Sequence, residues 1–212
     1  MDITTIAILS YAPALFLLWY VYSKDRIESE PKRYVVAVFL ASSTVSTTLA
    51  LLLEQITPAI LTFYLAPFIE EFTKFLALLI PYWKKQMDGV MDGVVYGVAA
   101  GLGFASFENL MYGLSFGQDV ALTRAFLTPV AHSTFTAITG VGLGLKAEGK
   151  TSSVLPYLIT GSFFHLWWNF SALNGLWVIP MLITNAFVLY SLIKLGMKED
   201  IEKIEYYLLR KI

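Results

Sequence analysis

Pro67-Phe68-Ile69-Glu70-Glu71-Phe72-Thr73-Lys74-Phe75 lies inside an apolar run from Ala59 to Ile80. About 20 apolar residues suffice to cross a bilayer, and a charge at the middle of such a span costs roughly 2.5–3.5 kcal/mol. Ionisable groups inside spans normally face the bundle interior or a wet cavity. Glu70, Glu71 and Lys74 therefore mark a polar centre inside a membrane-embedded helix, and the chain must bring other polar groups to it.

The rest of the chain agrees with a membrane setting. Its 212 residues are 57% hydrophobic and 15% charged, with mean hydropathy +0.64, far from soluble usage. A net charge of −1 offers no basic field for nucleic acid. With no cysteine there is no disulfide, thiol nucleophile or cysteine-held metal. Working outward, seven spans are predicted, roughly Ile3 to Tyr22, Tyr34 to Leu53, Ala59 to Ile80, Gly89 to Tyr112, Arg124 to Leu145, Leu155 to Leu173 and Leu176 to Leu195. The first begins without a basic leader and reads as an uncleaved helix. The expected fold is all-α, a polytopic bundle of about seven transmembrane helices over residues 1–196, with the chemistry-bearing motifs between 66 and 170. Residues 197–212 read as a cytoplasmic amphipathic tail, with Ile201, Ile204, Leu208 and Ile212 on one face and Lys203, Arg210 and Lys211 among the rest.

Lys and Arg fall unevenly on the connections. One side carries Lys24, Arg26, Lys32, Arg33, Lys84, Lys85, Lys146, Lys150, Lys194, Lys198, Lys203, Arg210 and Lys211, and the other carries only Arg124. The positive-inside rule puts the N-terminus outside and the C-terminus in the cytoplasm of a multi-pass cell-membrane protein. That orientation requires an odd number of spans.

Gly89, Gly93, Gly97 and Gly101 recur at steps of four and are continued by Ala105, a small-residue stripe that lets another helix approach closely. The same helix delivers Glu108 and Asn109, with Phe104 on the Glu108 face at i−4. The fifth span reads His132, Thr136, Gly140, Gly144, and the sixth reads Gly161, His165, Asn169, again at steps of four. These are the two histidines of the chain. Asp92, close to Asp88, reads as a helix-boundary residue.

Two carboxylates, two histidines and a further Glu can supply each role of peptide hydrolysis: an activated water, a base, an acid for the leaving amine and an oxyanion stabiliser. In one version His132, His165 and Glu108 hold a zinc ion while a third-span Glu acts as base. In a metal-free version that Glu polarises water directly, with His165 and Asn169 steadying the oxyanion. The residues leave both versions open. Other intramembrane designs lack their motifs: there is no His-Glu-x-x-His, Gly-x-Ser-Gly or Gly-x-Gly-Asp. Two further readings are a non-catalytic membrane scaffold or chaperone and a proton-coupled transporter; no inverted repeats favour the transporter.

Glu70-Glu71-x-x-Lys74, the segment Asp92-Gly93-Val94-Val95-Tyr96-Gly97 leading to Gly103-Phe104-Ala105 and Glu108-Asn109, then His132 and His165-x-x-x-Asn169 together resemble the PrsW family of membrane proteases. That family is similar in turn to the CAAX-prenyl and bacteriocin self-immunity protease superfamily, which includes a gamma-secretase scaffold subunit. Asp25 to Pro31 is similar to a family stretch of Glu-Pro pairs, with Ser29 where a proline is expected. The resemblance implies an intramembrane endopeptidase acting on single-span or membrane-associated proteins, with anti-sigma factors as the family's substrates. It places catalytic roles on Glu70, Glu71, Glu108, His132 and His165, supported by Asn169, and favours Glu70 over Glu71 as base. Lys74 lies at i+4 and i+3 from the two glutamates and can pair with either.

Overall fold

The structure, a computed structural model, describes residues 2–209, without the side chains of Ile204, Tyr207, Leu208 and Leu209. The described residues form helices and short connections, with no strand among them. In chain order these are α1 (Ile3–Tyr22), α2 (Lys32–Ala41), a π-helical turn (Ser42–Ser46), α3 (Thr47–Gln55), α4 (Ala59–Trp83), α5 (Val90–Phe116), α6 (Gln118–Ala147), α7 (Leu155–Asn174) and α8 (Val178–Leu209). The α2–π–α3 unit is one continuous rod, so the described helices make seven rods; α6 begins at Gln118, ahead of the expected Arg124, and α8 runs to Leu209, well past the expected Leu195.

Four rods are long and apolar enough to cross a membrane: Ile3–Tyr22, Lys32–Gln55, Val90–Phe116 and Val178–Lys203. The other three, α4, α6 and α7, carry the polar residues singled out above. In α4 the charges of Glu70, Glu71 and Lys74 interrupt the apolar run, and in α6 and α7 hydroxyl, histidine and asparagine side chains lower hydropathy. The tail expected as a separate element is continuous with α8 as far as Leu209. The side chains of Ile204 and Leu208, and Arg210, Lys211 and Ile212 altogether, lie outside the described residues.

Boundary residues explain the helix ends. Asp2 caps α1, accepting from the Thr4 N–H at 3.0 Å. Pro31 and Pro58 precede α2 and α4, where a missing N–H costs nothing. At the start of α5 the Asp92 carboxylate accepts the N–H groups of Asp88 and Gly89, at 2.7 and 2.9 Å, the boundary role expected of it. Gly117, at φ 99°, is the single residue between α5 and α6. Only glycine enters that backbone region without strain.

Helix α5 is the buried axis of the bundle, and its widest contact is with α6. A Cβ on Gly93 would lie 2.2 Å from the Gly140 carbonyl oxygen, and one on Gly101 2.3 Å from that of His132. The small-residue stripe thus brings the two backbones into contact and fixes the height of His132 against α5. On its other side α5 meets the α2–α3 rod, where a Cβ on Gly103 would lie 2.2 Å from the Phe39 carbonyl oxygen. The π turn crosses α4 at the level of the glutamates: Ser46 Oγ donates to the Thr73 carbonyl at 2.7 Å. Single π turns inside helices frequently accompany functional sites.

Two carboxylates of the loop before α2, Asp25 and Glu30, are also buried. Asp25 accepts the Glu30 N–H at 3.0 Å, the Tyr22 hydroxyl donates to the Glu30 carbonyl at 2.8 Å, and the Tyr96 hydroxyl of α5 donates to the Glu30 carboxylate. This latch ties the first connection to the central helix.

Candidate active site

Four rods bring the expected residues together. Helix α4 contributes Glu70, Glu71 and Lys74, α5 Phe104 and Glu108, α6 His132 and α7 His165. Pro67 and Pro129 each stand three residues before a site residue, Glu70 and His132. A proline inside a helix removes one backbone hydrogen bond and bends the rod.

Glu71 and Lys74 are fully buried and form a closed polar frame. The Lys74 Nζ donates to Glu71 Oε1 at 2.7 Å, stands 3.4 Å from Glu70 Oε2 and donates to His132 Nδ1 at 3.2 Å. Its ammonium also lies over the Phe104 ring, 4.0 Å from the centroid. Glu71 Oε2 accepts from Thr136 Oγ1 at 2.9 Å, and Glu71 Oε1 meets His165 Nδ1 at 3.1 Å. Both oxygens of Glu71 are therefore engaged. A proton on His165 Nδ1 leaves the Nε2 lone pair aimed at Glu70 Oε2, 3.8 Å away. Phe104 stacks on His132 and Phe135 on His165, with centroids 6.0 and 4.8 Å apart, which locks both imidazole planes.

Glu70 has different surroundings. It lines a cavity of about 520 Å³ together with Phe104, Glu108, His132, His165 and Asn169; Glu71 and Lys74 stand behind the wall. Asn169 makes no hydrogen bond among the described residues, so its amide is open to the cavity. Glu108 is anchored by Arg124 Nη2 at 2.7 Å and faces His132 Nε2 at 3.3 Å. Asn109 turns away from the cavity and accepts from Arg124 Nε and Thr128 Oγ1, at 2.8 and 2.9 Å. Asn109 thus supports Arg124, and Arg124 supports Glu108.

Glu70, His132 and His165 offer ligand atoms that all lie within 4.8 Å of one another. The grouping differs from the expected set in its carboxylate: Glu70 stands with both histidines, while Glu108 lies between Arg124, at 2.7 Å, and His132 Nε2, at 3.3 Å. Two features of the donor set fit a divalent ion. A histidine whose other nitrogen is oriented by a carboxylate is the usual arrangement behind a metal ligand, and His165 has it through Glu71. Moreover, among the described residues Glu54, Glu70, Glu71 and Glu108 face two cations, Lys74 and Arg124. With all four carboxyls ionised and the histidines neutral, that leaves an excess of two negative charges inside apolar helices.

Sequence reading missed three of these residues. Arg124 stands eight residues before His132, two helical turns down the same face, a spacing that could have revealed it. Thr136 was placed only on the packing stripe. Glu54, on the cavity wall, carries no motif at all.

A carboxylate–histidine centre walled inside apolar helices defines an intramembrane enzyme of the hydrolytic kind. A family model described as PrsW family intramembrane metalloprotease matches residues 30–194, and the chain belongs to that family. It is 33% identical over 169 residues to Protease PrsW of Geobacillus kaustophilus, covering 72% of this chain and 75% of that protein. It is 30% identical over 198 residues to Protease PrsW of Oceanobacillus iheyensis, covering 85% and 91%. Against Protease PrsW of Bacillus subtilis it is 31% identical over 169 residues, covering 72% and 78%. No solved structure matches the chain.

Proposed function

We propose that this intramembrane protease hydrolyses a peptide bond of a membrane-embedded or membrane-associated protein inside the cavity lined by Glu70, Glu108, His132, His165 and Asn169. All seven rods are read as spans, with the N-terminus outside and the C-terminus in the cytoplasm. The substrate class, by family resemblance, is a single-span protein of the anti-sigma-factor kind. The observation that carries the reading is the division between adjacent glutamates: Glu71 is consumed by Lys74, Thr136 and His165, whereas Glu70 faces the cavity.

Glu70, His132 and His165 would hold a zinc ion, which when bound polarises a carbonyl oxygen and makes a bound water more acidic. Glu108, anchored by Arg124, takes the proton released as the water oxygen bonds to the scissile carbonyl carbon. It returns that proton to the amide nitrogen as the C–N bond breaks. Asn169 donates to the carbonyl oxygen as negative charge develops there. The frame of Glu71, Lys74 and Thr136 touches no substrate and holds His165 in one tautomer and orientation.

A second reading is favoured by one observation. Lys74 already supplies a cation to both Glu70 and His132 Nδ1. In that version Glu70 itself takes the proton from water and no metal is held.

Both versions require Glu70. In proteoliposomes, Glu70→Gln is expected to lower cleavage of a single-span reporter by at least about 100-fold. Insertion is read in the same samples from Ser152→Cys, labelled only from the side of the C-terminus. Undiminished cleavage removes Glu70 from the chemistry, and labelling from the opposite side overturns the orientation.

A further inference from the structure

Glu54 occupies an unusual position for a charged residue. It is the penultimate residue of α3, it lines the catalytic cavity, and among the described residues it makes no hydrogen bond or ion pair. The two cations of the cavity region are already committed, Lys74 to Glu71 at 2.7 Å and Arg124 to Glu108 at 2.7 Å. A glutamate at a helix end ordinarily turns its carboxylate to bulk water, but the Cβ of a helical residue tilts toward the helix N-terminus. For Glu54 that direction is inward, into the cavity. A half-buried carboxylate left without a partner costs free energy that an incoming donor or cation recovers.

Its distance from the reacting centre can be read from the helices. Helix α3 ends at Gln55 and α4 starts at Ala59, so the end of α3 and the start of α4 lie at the same face of the bundle. At about 1.5 Å per residue, Glu70 lies roughly 15 Å deeper than Glu54 along the axis. The side chains lean toward each other, Glu54 inward and Glu70 outward, which leaves about 10 Å between carboxylates. Extended chain covers that in about three residues.

We infer that Glu54 is a charge-reading subsite that takes a Lys or Arg side chain of the substrate, about three residues from the scissile bond on the side of the α3–α4 turn. The inference rests on the cavity being the active site. It names a specificity determinant that the motif set does not contain. A basic substrate residue gains a desolvated carboxylate partner there, and an acidic one meets like charge, a contrast that sets specificity more strongly than an exposed pair does.

The test is a charge swap. A fluorogenic single-span peptide carries Lys, Gln or Glu at each of the second to fourth positions outward of the scissile bond. It is cleaved by wild type, Glu54→Gln and Glu54→Lys in proteoliposomes. Wild type is expected to rank the substrates Lys over Gln over Glu, with kcat/KM for Lys on the order of tenfold above Glu. Glu54→Gln, of nearly the same shape, should collapse the ranking, and Glu54→Lys should invert it. An unchanged ranking in all three enzymes overturns the subsite. The outcome separates from the assignment of the centre. If cleavage survives Glu70→Gln, the centre is misplaced, while a ranking that inverts at residue 54 still locates the charge-reading residue.

Discussion

Glu70 and Glu71 are chemically identical neighbours set in different surroundings. Lys74 bonds Glu71 at 2.7 Å and stays 3.4 Å from Glu70, a choice that i+3 and i+4 spacing leaves open. The residues of the centre were legible because a charge or imidazole inside an apolar run is costly and conspicuous. Glu54, Asp25 and Glu30 were not, because charges at helix ends and in connections are ordinary. Yet Glu30 is buried. Burial, and next the charge of Asp92, push its carboxyl up from 4.5 to about 9; burial lifts Asp25 to about 6. A carboxyl with a raised pKa in the folded protein contributes stability that is full below its ordinary value and is lost as pH rises through the raised one. Thermal stability in detergent is therefore expected to fall between about pH 4.5 and about pH 9, the window set by Glu30. Glu30→Gln should flatten that window; an equally steep loss in the variant would show that the Tyr96–Glu30 latch is not its source.

At the scale of the helix, the step-four glycines separate into those that allow contact and one that does not. A Cβ on Gly140 would meet the Gly93 carbonyl oxygen at 1.9 Å, whereas one on Gly89 finds its nearest neighbours at 3.7 Å. Sequence spacing gives all members of the stripe equal weight, and only the position of the partner backbone tells them apart. Gly140→Ala is expected to destabilise the bundle by about 1–3 kcal/mol and to lower cleavage, since His132 sits two turns away on the same face of α6. Gly89→Ala should cost about 1 kcal/mol or less, the ordinary price of losing glycine at an N-cap. Detergent melting of the two variants checks the contrast, and equal losses would place the close helix contact elsewhere. The π turn at Ser42–Ser46 had no signal in the sequence, because its residues suit an ordinary helix and the turn answers to packing against α4 and α5.

For the whole molecule, the order of helices and their polar faces was readable, but the partner of the two histidines was not. Which carboxylate joins them depends on the tilt and rotation of four rods. The bundle groups Glu70 with both histidines and sets Glu108 between Arg124 and His132. If Glu70, His132 and His165 form the proposed zinc-holding centre, metal content follows those three side chains. Wild type, Glu70→Gln, His165→Ala and Glu108→Gln would be purified in detergent and their bound zinc measured beside reporter cleavage. Such a centre gives about one zinc per chain in wild type and in Glu108→Gln, with cleavage lost in the latter, and a loss of at least about tenfold in metal affinity in Glu70→Gln and His165→Ala. Full cleavage by a wild-type protein free of zinc, or equal zinc in all four proteins, would contradict it.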